Sequence, residues 1–159
     1  MVKKWIIVTL LMFVSIFIFG QSLDDFNNVV DFNYTLKDLY IAATSNPVGE
    51  FPDRFIIIYG AVASRALVIS DSENYLAELD VVTGEWMGVE EAVKYHCIVQ
   101  LVGPDFAKAV PARRSRRPDP AEIALNSQII VVAKVTGLRQ MESGETVPVL
   151  HAYYVRKIN

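Results

Sequence analysis

A chain of 159 residues is long enough for one domain with a full core. Its formal charge of −3 and pI near 5.4 argue against bulk binding of nucleic acid, which ordinarily asks for a basic surface. Cys97 is the single cysteine, so an intramolecular disulfide is excluded.

Lys3 and Lys4 precede an apolar run from Trp5 to Phe19 that only Thr9 and Ser15 interrupt. A basic start followed by about 15 apolar residues is the pattern of a secretory signal, and it is short for a membrane span. Gly20 and Ser22 supply the small residues of a cleavage site. The expectation is a signal peptide at 1–22, with an uncleaved anchor as the alternative, and a periplasmic or secreted protein. Membrane contact is then expected only through an uncleaved N-terminus. Removal of 1–22 takes away two lysines and no acid, which leaves the remainder more acidic.

Residues 23–33 read as an acidic, Asn-rich leader, either mobile or forming a first turn of helix, and 34–159 as one domain. Thr35 and Asp38 have the spacing of a capping box, and Leu36, Leu39, Tyr40 and Ala43 then form one apolar helical stripe. Pro47 stops that helix. A first strand follows over 54–64, extensible to 69, with Gly60 placed to let it bend. Asp71 to Asn74 is turn chemistry. A second strand over 75–82 alternates Tyr75, Ala77, Leu79 and Val81 against Glu78 and Asp80. Residues 83–88 are expected to be a loop carrying Trp86, and 89–93 a short helical turn. The third strand, 94–102, sets Tyr95, Cys97, Val99 and Leu101 on one side and Lys94, His96 and Gln100 on the other.

Gly103-Pro104 ends that strand. A basic connection holds Arg113, Arg114, Arg116 and Arg117. Asp119 as N-cap, Pro120 and Glu122 then predict a short helix to Leu125. Two β-branched and aromatic runs, 127–137 and 146–158, flank a connection from Arg139 to Glu145 with a hairpin signature. Both runs are apolar on nearly every residue, as strands of a small closed barrel are. The fold class expected is therefore mainly β: a five-stranded OB-type barrel with an N-terminal helix and a short helix between strands three and four.

The stretch 34–158 resembles the exported bacterial OB-fold proteins of the tRNA_anti-like type. The resemblance rests on the leading helix from Thr35 to Tyr40, Phe55 to Val62 with Gly60, Tyr75 to Leu79, His96-Cys97-Ile98, Ile130 to Val135, and Pro148 to Ala152. A weaker similarity to periplasmic bacterial OB-fold proteins runs through Tyr75, Trp86, Gly88 and Val102-Gly103. Both imply the fold, and neither implies a reaction.

The chemistry points to binding. His96 and Cys97 are neighbours on a strand and face opposite ways, so they cannot pair as base and nucleophile. Neither histidine has the ligand spacing of a metal site, and no cofactor motif is present. Glu78 and Asp80 share a strand face expected to be solvated. OB barrels bind on the outer face of strands two and three, where Lys94 and His96 stand. Trp86 is the one aromatic platform expected nearby, and Arg139 together with Arg113, Arg114, Arg116 and Arg117 supplies oxyanion-binding forks. With an acidic face and an acidic chain, the expected role is a non-enzymatic binding or adaptor domain for a protein or glycan partner in the cell envelope. Nucleic acid is disfavoured as a partner. A nucleic-acid-binding OB domain using the arginines is the first alternative, and a structural envelope protein the second.

Overall fold

The computed structural model describes residues 27–45, 51–71, 73–86, 88, 92–113, 117 and 119–158. Its elements are β1 (Val30–Asp31), α1 (Leu36–Ser45), β2 (Phe55–Ile69), β3 (Leu76–Trp86), β4 (Ala92–Val102), a 3-10 turn (Pro104–Lys108), β5 (Gln128–Gln140) and β6 (Thr146–Lys157). The expected signal segment, Pro47, residues 89–91, Arg114 and Arg116 lie outside the described residues.

β2 pairs with β3 on one side and with β5 on the other, both antiparallel. β3 pairs with β4, β4 runs parallel to β6, and β6 pairs with β5. The five long strands therefore close into a ring, in the order of an OB-like fold. The closing contact between β4 and β6 is short, Ile98–Gln100 against Val149–His151.

Strand alternation fills the ring. Ile56, Ile58 and Val62 of β2, Ala77, Leu79 and Val81 of β3, Cys97, Val99 and Leu101 of β4, and Ile129 and Val131 of β5 point inward and are buried. Each large aliphatic side chain so buried contributes about 1.5–3 kcal/mol. Gly60 of β2 lies tight against the backbone of β3, one residue before their ladder begins. A Cβ there would sit 2.7 Å from the Val82 carbonyl oxygen and 2.8 Å from Val81 Cγ1. The glycine is required by that crossing.

α1 closes one end of the ring with Leu36, Leu39 and Ala43. The capping box forms as spaced: the Thr35 N–H donates to Asp38 Oδ2 at 2.9 Å, and the Asp38 N–H to Thr35 Oγ1 at 3.3 Å.

The acidic leader is helical at 27–29 and contributes β1, which pairs in parallel with Phe55 and Ile56. Three expectations need correction. Residues 83–86 continue β3 rather than forming a loop, because Thr83 to Trp86 pair with Tyr95 to Ala92. The described part of the expected 89–93 turn, Ala92 and Val93, is strand. The helix expected over 119–125 does not form. Its start is as read, with the Ala121 N–H on Asp119 Oδ1 at 2.8 Å. The Ile123 N–H then donates to Ala109 O, and the Glu122 carboxylate turns to Arg65 at 3.1 Å, so the segment is spent tying the connection to β2. The helical turn between β4 and β5 is Pro104–Lys108 instead.

Candidate functional site

The outer face of β3 and β4, the expected binding surface, is largely occupied by the protein itself. The tip of the β5–β6 hairpin folds back over β4. Val147 and Val149 bury Ile98 there, with Met141 and Tyr40 packed alongside. Arg139 crosses to Glu78 and donates to both carboxylate oxygens, at 2.8 and 2.6 Å. Gln100 donates to the same carboxylate at 3.0 Å. The Arg139 guanidinium, with help from Gln100, holds the Glu78 carboxyl below its ordinary range despite partial burial.

His96 sits in a second cluster. Its Nδ1 lies 3.1 Å from Asp80 Oδ1 and its Nε2 3.1 Å from Glu145 Oε2, in the hairpin turn. Tyr40 of α1 donates its hydroxyl to Glu145 Oε1. Burial opposes a charge on His96, but the hydrogen bonds to Glu145 and Asp80 outweigh it and raise its pKa. The Tyr40 bond, then the His96 bond, lowers that of Glu145. Tyr40 itself is pushed up to about 12 by Glu145. These groups latch the hairpin tip to α1 and β4; they are not a bare acidic surface. Among the described residues no group of three or more His, Cys, Asp and Glu is placed to hold a metal ion.

The other expected residues scatter. Trp86, 75% exposed, and Lys94 stand two rungs apart near the end of β3 and β4, opposite Ala92 and Gly84 respectively. Arg113 and Arg117 are exposed in the connection after the 3-10 turn. His96 and Arg139 are held in the intramolecular pairs above. Cys97 is fully buried on the inner face, and burial pushes its thiol well up.

A different surface, missed in the sequence, presents aromatic and basic groups together. It is the outer face of β2, β5 and β6, and register builds it as three rungs. Phe55 at the start of β2 comes beside Lys134, which pairs with His151. Ile57 pairs with Val132 and Val132 with Tyr154. Tyr59 pairs with Ile130 and Ile130 with Arg156. A register shift at Val132/Ala133 lets β6 turn both Tyr153 and Tyr154 outward. Tyr153 packs edge-on against Phe55 and His151, at centroid distances of 4.8 and 5.0 Å. Lys134 Nζ lies 5.2 Å from the Phe55 ring centre. Tyr59, Tyr153 and Tyr154 are 55%, 55% and 50% exposed. No carboxylate stands on these rungs; Asp53, at the rim, pairs with Lys134 at 3.2 Å. In the sequence these residues sit in nearly continuous apolar runs, so alternation gave no sign of which face they occupy.

Beyond Tyr59 the face meets a cleft of about 430 Å³ between the segment from β1 into α1 and parts of β2, β3 and β4. Ile57 and Tyr59 belong to both the face and the cleft. Lys37 and Tyr95 both donate to Glu85 Oε2 inside it.

No protein-family model and no curated protein matches the chain. Solved structures do. A Thermus aquaticus single-stranded DNA binding protein is 12% identical over 66% of this chain, with a TM-score of 0.43; the match spans 48% of that protein, about half its length. The Plasmodium falciparum SSB, solved with ssDNA, is 10% identical over 70% of this chain and 100% of its own, with a TM-score of 0.46. The small single-stranded DNA-binding protein of Streptomyces coelicolor is 14% identical over 68% of this chain and 96% of its own, with a TM-score of 0.41. The likeness is one of fold.

The partner expectation is corrected at this point. All three of these proteins bind single-stranded DNA by name, against the expectation of a protein or glycan partner in the envelope with nucleic acid disfavoured. One ground of that expectation was a free acidic strand face, and the structure shows that face paired internally. Glu78 is neutralised by Arg139 and Asp80 faces His96.

Proposed function

We propose that the chain is an OB-barrel domain that binds single-stranded nucleic acid, without catalysis, on the outer face of β2, β5 and β6. The observation that carries this reading is the three-rung array itself. Single strands are held by aromatic rings that stack on bases and by cations that track the backbone. The face offers Tyr59, Tyr154 and the Phe55–Tyr153 pair as rings, and Lys134, His151 and Arg156 as donors, on strands whose inner sides are fixed in the core. Same-face residues lie about 6.6 Å apart along a strand and neighbouring strands about 4.8 Å apart, so rings on different rungs are spaced to meet separate bases of an extended strand. Overall negative charge weakens long-range attraction, but charge separated by more than about 8–10 Å is screened at physiological salt. On these rungs the charged side chains are Lys134, which Asp53 meets at the rim, and Arg156.

Ultraviolet cross-linking of the protein to an oligothymidylate, followed by peptide mapping, tests the assignment. Adducts are expected on the β2 and β6 peptides holding Tyr59, Tyr153 and Tyr154. Adducts confined to peptides from the β3–β4 face would refute it.

A further inference from the structure

We propose that the cleft beside Tyr59 is a pocket for one nucleobase carrying an exocyclic amino group, at the end of the strand path. This rests on the reading of the β2–β5–β6 face given above, and it adds base preference at one position to that reading.

Continuity is the first reason. A strand lying over the rung of Tyr59, Ile130 and Arg156 reaches the cleft without leaving protein surface, since Tyr59 and Ile57 line both. The second reason is shape. At about 430 Å³ the cleft falls in the range of small-molecule sites, and its walls are Phe32, Tyr34, Tyr59 and Tyr95 over Leu36 and Ile58. Rings on several sides with an aliphatic floor suit a flat heterocycle.

The third reason is polarity. Lys37 Nζ and the Tyr95 hydroxyl both meet the same oxygen of Glu85, Oε2, at 2.5 and 3.2 Å. A carboxylate offers about four lone-pair sites, so Oε1 keeps acceptor capacity. An N–H₂ group at the exocyclic position donates to it, whereas thymine presents the O4 carbonyl at that position, where two acceptors repel, and keeps N3–H as its one donor. Lys37 offsets the Glu85 charge, so a phosphate is not turned away. A second hollow of about 340 Å³ adjoins through Tyr59, Thr83 and Gly84, and it carries Lys94, which suits the phosphate of the seated nucleotide.

The test is a position scan. A fluorescent oligothymidylate of about twelve residues, within the span of one OB fold, is compared with variants carrying a single cytidine at each position in turn. Wild type is expected to favour cytidine about tenfold at one position, near one end, the worth of a hydrogen bond to a charged acceptor. In Glu85→Gln, with folding checked by thermal unfolding, the ratio at that position is expected to fall to about one. If oligothymidylate binds but no position prefers cytidine, or the preference survives in Glu85→Gln, the pocket assignment is wrong and the face assignment stands. If no strand binds at all, both are wrong.

Discussion

Arg139 on β5 grips both carboxylate oxygens of Glu78 on β3, and so spans the width of β4. The pair fixes where the β5–β6 hairpin tip lies. It also turns the face that OB-type reasoning marks for ligands into an internal contact. Bidentate guanidinium–carboxylate pairs are the stronger kind of ion pair, and cutting one partner strands the other. Arg139→Met is therefore expected to lower unfolding free energy by about 1–2 kcal/mol. Urea denaturation measures it, and a double variant with Glu78→Gln should lose less than the sum of the two singles.

The His96 latch makes stability depend on pH. The folded pKa of His96 is raised above the unfolded value of about 6.5, so its contribution is complete below that pH and fades as pH climbs through the folded value. Glu145 has the opposite sense: its folded pKa is lowered, so its contribution holds above about pH 4.3 and fails as pH falls through the folded value. The latch is thus tightest in mildly acidic solution. Melting temperature measured across pH 5 to 9 should decline on the alkaline side, and His96→Asn should flatten that decline.

Gly60→Ala tests the strand crossing. Its new methyl would press on the backbone of Val82 and on Val81, both held in the β2–β3 ladder. Overpacking of this kind costs about 1–3 kcal/mol or more. Chemical denaturation of the variant should show at least that loss. Gly84→Ala, where the nearest atom is 3.9 Å away, should be almost neutral.

Much of the architecture was legible in the sequence. The alternation of Tyr75, Ala77, Leu79 and Val81, and of Tyr95, Cys97, Val99 and Leu101, placed two strands and their inner faces because one side of each is polar. Thr35 and Asp38 announced the start of α1. The segment 119–125 misled because its capping signal was real, but tertiary bonds to Ala109 and Arg65 took the groups a helix would have used. The candidate site was largely illegible. β2, β5 and β6 are apolar on both sides, so nothing in their order tells Tyr59 and Tyr154 from core residues. The long-range bonds of Arg139 and His96 depend on a hairpin fold-back that no local pattern records.

Two tyrosines test the central claim most directly. Tyr153 also packs on Phe55 and His151, whereas Tyr59 and Tyr154 are half exposed on the face, so their removal leaves the core intact. Fluorescence anisotropy with a labelled oligothymidylate at about 50 mM salt should show binding by wild type that weakens as salt rises, by a log–log slope of about −0.7 per phosphate contact. Each stacked ring is worth about 1–3 kcal/mol, so Tyr59→Ala/Tyr154→Ala should bind at least about thirtyfold more weakly. Absence of binding by wild type at that salt, or equal binding by the double variant, would contradict the account.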